Sequence, residues 1–188
     1  MKITPTAIPE VLLITPARHG DERGWFSETF RRSALDEAGF SGGAFVQDNH
    51  VRSTVRGVVR GLHFQRPPHA QAKLIRCVRG AILDVAVDIR AGSPTFGRAV
   101  AVELSADDGR QLLVPEGFAH GYCALTDECE VFYKVTGYYT PQAEGVLAWN
   151  DPALAIDWGV SADAVTVNAR DAAAPRLADL DTPFVYQA

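Results

Sequence analysis

Turn residues recur so closely along this chain that only short strands fit between them. Gly20, Gly24, Gly42-Gly43, Gly57, Gly61, Pro67-Pro68, Gly80, Gly92-Ser93-Pro94, Gly97, Asp108-Gly109, Pro115-Glu116-Gly117, Gly137 and Gly145 punctuate it from end to end. Glycine admits left-handed backbone and proline removes a donor, so each cluster interrupts regular structure. Between Ala81 and Ile89, residues Leu83, Val85, Val87 and Ile89 share one face while Asp84, Ala86 and Asp88 share the other, the two-residue period of a strand. Further β-rich runs are predicted over 11–15, 58–64, 74–78, 99–104, 111–114, 121–125 and 129–136. Strands without a strand-helix alternation read as an all-β sandwich or barrel, of which a jelly roll is the natural choice. One short peripheral helix is predicted, capped by Ser33 with Asp36 three residues on and stopped at Gly39. The Ala-rich stretch 172–178 reads as a C-terminal tail packed on the barrel.

Composition narrows the function classes. A chain of 188 residues with 47% hydrophobic content suits one domain over 1–188. A formal net charge of -5 argues against a protein devoted to holding a nucleic acid polymer, so any phosphate site must be local. The three cysteines, Cys77, Cys123 and Cys129, have neither paired spacing nor a Cys-x-x-Cys, which suits a reducing cytoplasm. Pro5, Pro9 and Glu10 break the N-terminal apolar run, so neither a signal peptide nor a membrane segment is expected.

The polar residues that could carry chemistry gather at 21–28, 47–50 and 60–65. Strand alternation over 59–65 sets Arg60, Leu62 and Phe64 on one side and Val59, Gly61, His63 and Gln65 on the other, so His63 faces inward beside a glycine, with Lys73 and Arg76 following in sequence. A base in a ligand mouth and a satisfied core histidine both remain open for it. The five histidines include no His-x-His pair, and no Glu stands at the offset that would complete a facial cluster with His63; no metal is expected, unless His63 and His120 converge. His120 follows the Pro115-Glu116-Gly117 turn, where a binding role at a barrel rim and a turn-capping role are equally open. Tyr133 shares a strand face with Val131 and Val135, either as a general acid or as a packing residue.

Taken in order, Asp21-Glu22-Arg23-Gly24, Phe26 with Glu28, Gln47-Asp48-Asn49, Arg60 to Gln65, Ala72-Lys73-Leu74, Asp84 to Arg90, Ser93 to Gly97, Pro115 to Gly121, Tyr133-Lys134, Tyr139, Trp149 to Pro152 and Arg170 to Pro175 resemble the dTDP-4-dehydrorhamnose 3,5-epimerases over nearly the whole chain. The resemblance implies a cupin-type jelly roll, usually a homodimer, that needs no metal or cofactor and inverts C3 and C5 of dTDP-4-dehydro-6-deoxy-D-glucose. It implies that His63 is the base, oriented by Asp171, that Lys73 meets the enolate oxygen, and that Tyr133 returns a proton from the opposite face. It further implies binding roles for Arg23, Phe26, Glu28, Gln47, Asn49, Arg60, His120 and Tyr139, and for Arg170, which stands where the family commonly has lysine. Three alternatives stand beside this: a single 3- or 5-epimerase for another deoxysugar, a metal-dependent cupin, and a non-catalytic sugar-nucleotide binding module.

Overall fold

Because branched apolar side chains alternate with small or polar ones, the chain folds almost entirely as strands. The computed structural model describes residues 1–187. Its strands are β1 (Lys2–Pro5), β2 (Leu12–Thr15), β3 (His19–Asp21), β4 (Gly24–Phe26), β5 (Gln47–Ser53), β6 (Val59–Gln65), β7 (Lys73–Arg79), β8 (Ala81–Asp88), β9 (Ala99–Ser105), β10 (Gln111–Val114), β11 (Phe118–Ala124), β12 (Cys129–Val135) and β13 (Glu144–Val146), with short helices α1 (Arg32–Glu37) and α2 (Ala169–Ala172). Six strands form one sheet in the order β1-β2-β10-β7-β12-β5, and five form the other, β13-β6-β11-β8-β9; β3 and β4 make a separate hairpin. The expected all-β jelly roll is what forms. Strands β1, β3, β4, β5 and β13 fall outside the predicted runs; β1, β3, β4 and β13 have only three or four residues, and β5 (Gln47–Ser53) carries polar residues on both faces, which hides its period.

The period-two rows sort the core into layers. Ile75, Cys77, Leu112, Val114 and Val131 of the first sheet meet Ile82, Ala86, Val100, Leu104, Phe118 and Tyr122 of the second between the sheets. The opposite rows, Val85, Val87, Ala119 and Cys123 among them, face outward and are covered by Leu147, Leu154 and Trp158, with Leu177 and Phe184 packed against them. The C-terminal tail thus lies on the barrel as expected, and it is the outer wall of the five-stranded sheet.

Helix α1 is peripheral, but Arg31 rather than Ser33 is its N-cap, and no side chain caps it. Ser33 falls inside the first turn because Leu35 must point into the layer formed by Ile14, Phe40, Leu74 and Leu113. The C-terminus follows expectation: Gly39, at φ +86°, lets Gly39 N donate to Asp36 O at 3.0 Å and Phe40 N to Leu35 O at 2.9 Å.

Strict alternation fails in β6. The β6–β11 register slips between His120 and Tyr122, so Tyr122 pairs with Arg60 and His120 with His63. Val59 therefore joins Leu62 and Phe64 on the outer layer, and Arg60 turns to the same side as His63 rather than away from it. The slip is possible because Gly61 has φ +125°, and a Cβ there would lie 2.6 Å from Gly121 Cα and 2.8 Å from His120 O. Gly61→Ala is expected to lower stability by about 3 kcal/mol through backbone strain and overpacking, read as a lower urea midpoint at unchanged slope. A midpoint equal to wild type would mean that the two strands need no such approach.

Candidate active site

At one end of the sandwich the inward rows turn polar, and the two sheets enclose a cavity of about 380 Å³ lined by Gln47, Asn49, His63, Gln65, Lys73, Tyr133, Tyr139 and Glu144. Register explains the grouping. Tyr133 pairs with Asn49 on one side, and Val135 pairs with Gln47 and with Lys73, so β5, β7 and β12 present their polar inward residues side by side. Across the cavity, His63 and Gln65 come from β6, and Glu144 pairs with Gln65.

His63 Nε2 lies 2.8 Å from Asp171 Oδ1, and Gly61 N donates to Asp171 Oδ2 at 3.1 Å. The Asp171 side chain is fully buried, and it is delivered by α2, whose N-cap Asn168 accepts from Asp171 N at 2.8 Å. With a carboxylate at Nε2, that nitrogen carries the proton and Nδ1 holds the free lone pair. Burial pushes the His63 pKa below 6.5, with the Lys73 charge adding to it and Asp171 opposing it, so the imidazole is a neutral base at pH 7.

Lys73 Nζ donates to His63 O at 3.2 Å. Burial pushes its ammonium down to about 8, against the pull of Asp84 and Glu144. Tyr133, half-buried, has its phenol raised by burial, with Arg60 acting the other way. Among the described residues no three His, Cys, Asp or Glu side chains converge in a way that could hold a metal ion. His63 and His120 are neighbours across the β6–β11 ladder, but each is committed to its own aspartate.

The other expected residues divide. Gln47 bonds Asn49 at 2.9 Å and accepts from Tyr139 N at 3.1 Å, which ties the rim of the cavity to β5. Arg170 makes two bonds to Glu144, at 2.6 and 2.5 Å, and Tyr139 OH donates to the same carboxylate at 2.7 Å. Burial raises the Glu144 pKa, but these donors outweigh it and hold the carboxyl below its ordinary value. Arg60 lies outside the lining, held by Ser53 Oγ at 3.3 Å and Arg52 O at 3.1 Å. Arg76 points away from the cavity, over the Phe132 ring. His120 is no rim residue: it lies within β11, buried, 2.8 Å from Asp84 Oδ1, because the strand begins at Phe118, directly after the turn, rather than at Gly121. Arg23 and Phe26 sit on the exposed β3–β4 hairpin and Glu28 just beyond it, with Arg23 paired to Asp21 and Glu28 to Arg31, so this chain does not bring them to its own cavity.

Two carboxylates escaped the sequence reading as site residues. Glu144 sits in a three-residue strand with no readable period. Asp84 did carry a signal, a charge on the face that β8 turns toward the apolar interior beside Ile82 and Ala86.

A profile of the dTDP-4-dehydrorhamnose 3,5-epimerase family matches residues 5–179. The dTDP-4-dehydrorhamnose 3,5-epimerase of Salmonella typhimurium is 50% identical over 177 residues, 94% of this chain and 96% of that protein. That of Pseudomonas aeruginosa is 47% identical over 181 residues, 96% of this chain and 98% of its own. The crystal structure of the dTDP-6-deoxy-D-glucose-3,5-epimerase of Legionella pneumophila in complex with dTDP-4-keto-L-rhamnose superposes with a TM-score of 0.93 at 44% identity, covering 100% of this chain and 99% of that one. With a buried His-Asp pair, an ammonium and a phenol gathered in one cavity of the same fold, the chain belongs to the dTDP-4-dehydrorhamnose 3,5-epimerase family.

Proposed function

We propose that the cavity inverts C3 and C5 of dTDP-4-dehydro-6-deoxy-D-glucose by proton transfer, with His63 as base and Tyr133 as acid. The observation that carries this assignment is the placement of His63 and Tyr133 on opposite sheets around one cavity. Both carbons flank the C4 ketone, so loss of either proton gives an enolate, and inversion requires that the new proton arrive from the other face. Nδ1 of His63 takes the proton, and Asp171 stabilises the imidazolium that results. Lys73 supplies a fixed positive charge for the C4 oxygen, in a partly desolvated site where such a charge acts strongly. Tyr133 donates its phenolic proton to the opposite face, and Arg60 lightens the charge left on its oxygen.

Gln47, Asn49, Tyr139, Glu144 and Arg170 line the entrance side and bind the nucleotide portion in this reading, Arg170 by turning its fork from Glu144 to a phosphate. The exposed aromatic hairpin supports a homodimer, since Phe26 is 69% and Trp25 61% exposed on a protein of this size. Three free cysteines suit a reducing cytoplasm. No helix among the described residues is long and apolar enough to cross a membrane.

Proton NMR of the substrate in deuterated water separates the roles. Wild type is expected to place deuterium at both C3 and C5, and His63→Ala to reduce exchange at both by about a hundredfold or more. Tyr133→Phe should still exchange solvent hydrogen while forming little inverted product. Label at one carbon only would make this a single-carbon epimerase, and full exchange in His63→Ala would remove His63 as the base. The pH profile follows from the sign of each requirement. His63 works only when neutral and Lys73 only when charged, so kcat/KM should rise through a midpoint below 6.5 and fall through about 8; a rate still rising at pH 9 would exclude a required ammonium. Light scattering at micromolar concentrations should give twice the 20.3 kDa chain mass, and the monomer mass throughout would exclude the dimer.

A further inference from the structure

One buried carboxylate has no place in this scheme. Asp84 is fully buried on the inward row of β8. Its Oδ1 is 2.8 Å from His120 Nε2, whereas its Oδ2 is, among the described residues, the one buried side-chain oxygen or nitrogen without a hydrogen-bond partner. Such an atom is expensive to keep unless its charge is used nearby. Lys73 meets that description: it faces inward from the opposing sheet, its only hydrogen bond among the described residues is to His63 O, and two of its ammonium protons are free.

We propose that Asp84 is a positioning residue, a fixed counter-charge, held in place by His120, that keeps the Lys73 ammonium protonated in the cavity and available to the C4 oxygen. The last part rests on the role assigned to Lys73 above. His63 from β6, Tyr133 from β12 and Glu144 from β13 line the cavity with Lys73, and Asp84 from β8 acts on it by charge; around Asp84 are His120 and Tyr122 from β11. Of these, Asp84 exerts the strongest pull toward the charged form, and Glu144 the next. Glu144 is already shared by Arg170 and Tyr139, which leaves Asp84 as the carboxylate with charge to spare. It sits beside His120, so its other oxygen cannot rotate away without breaking that bond. Bonding the ammonium directly would hold it on the carboxylate. A charge nearby without a full complement of bonds keeps the proton on Lys73 and leaves its free protons for a substrate oxygen.

Asp84→Asn removes the charge and retains an oxygen for His120. With carbon-labelled lysine only three side chains contribute, Lys2, Lys73 and Lys134, and the Lys73 signal is identified by its loss in Lys73→Met. The Lys73 titration midpoint is expected to fall by about one pH unit in Asp84→Asn, as for loss of one neighbouring charge. The exchange rate of the variant relative to wild type should then decline about fivefold between about pH 6 and about pH 8, and Asp84→Glu should restore part of it. If Asp84→Asn does not fold, judged by its amide spectrum, Asp84→Ser gives the same reading with less volume. An unmoved Lys73 midpoint, or a rate lowered by one constant factor at every pH, would overturn the proposal and make Asp84 structural. A lowered midpoint with a flat rate ratio would uphold the charge link while removing Lys73 from the reaction.

Discussion

The structure depends on one buried carboxylate. Asp171 is removed from water, and its two oxygens are divided between the His63 ring and the Gly61 amide. A charge in that position is tolerable only with such partners, and losing one of them leaves it uncompensated at about 3–5 kcal/mol. The same bonds therefore do two things: they hold the C-terminal tail against β6, and they fix the tautomer and angle of the imidazole. The residues between 147 and 184 that pack on the outer face of the five-stranded sheet anchor the segment on either side of α2. The tail is part of the site even though it lies on the far side of the wall from the cavity.

The second constraint is the slipped register at Gly61. A regular strand would send Arg60 and His63 to opposite faces, and the cavity would lose either its imidazole or the cation that acts on Tyr133. One glycine in β6 and its neighbour Gly121 in β11 let the backbones approach closely enough for the ladder to shift. Past that point the alternation resumes, with Leu62 and Phe64 outward and His63 and Gln65 inward. Gln65, buried, then bonds His69 O, Tyr138 O and Thr140 N, holding the segment that carries Tyr139 over the cavity mouth.

Much of this was legible in the residues. The period of β8 foretold its two faces, and the turn spacing foretold a sandwich; Leu83 to Ile89 behaved as read, because a strand with a wholly apolar outer row has one way to lie. What alternation could not supply was any feature set by a partner far away in sequence. The His63–Asp171 pair spans 108 residues, and only the family resemblance joined them. Periodicity failed at Arg60 because a bulge has no signature beyond a glycine, and glycines occur at every turn of this chain. It failed at β5, where polar residues occupy both faces, and at His120, left before a strand predicted to start at 121 although β11 begins at Phe118. Ser33 misled because capping preference is worth about 1 kcal/mol, less than burying Leu35.

Arg170 shows how the site balances its charges. Where the resemblance led to a lysine being expected, this chain has a planar fork that matches both oxygens of Glu144. An ammonium would bond that carboxylate at one point, leaving it freer to turn toward Lys73. Clamped by Arg170 and Tyr139, Glu144 is held low in pKa and shares its charge with two donors, which leaves it a weaker hold on Lys73 than Asp84 has. Arg170 also lies 3.9 Å from Asp171, so one cation stands between the carboxylate that holds the His63 ring and the carboxylate that lines the cavity.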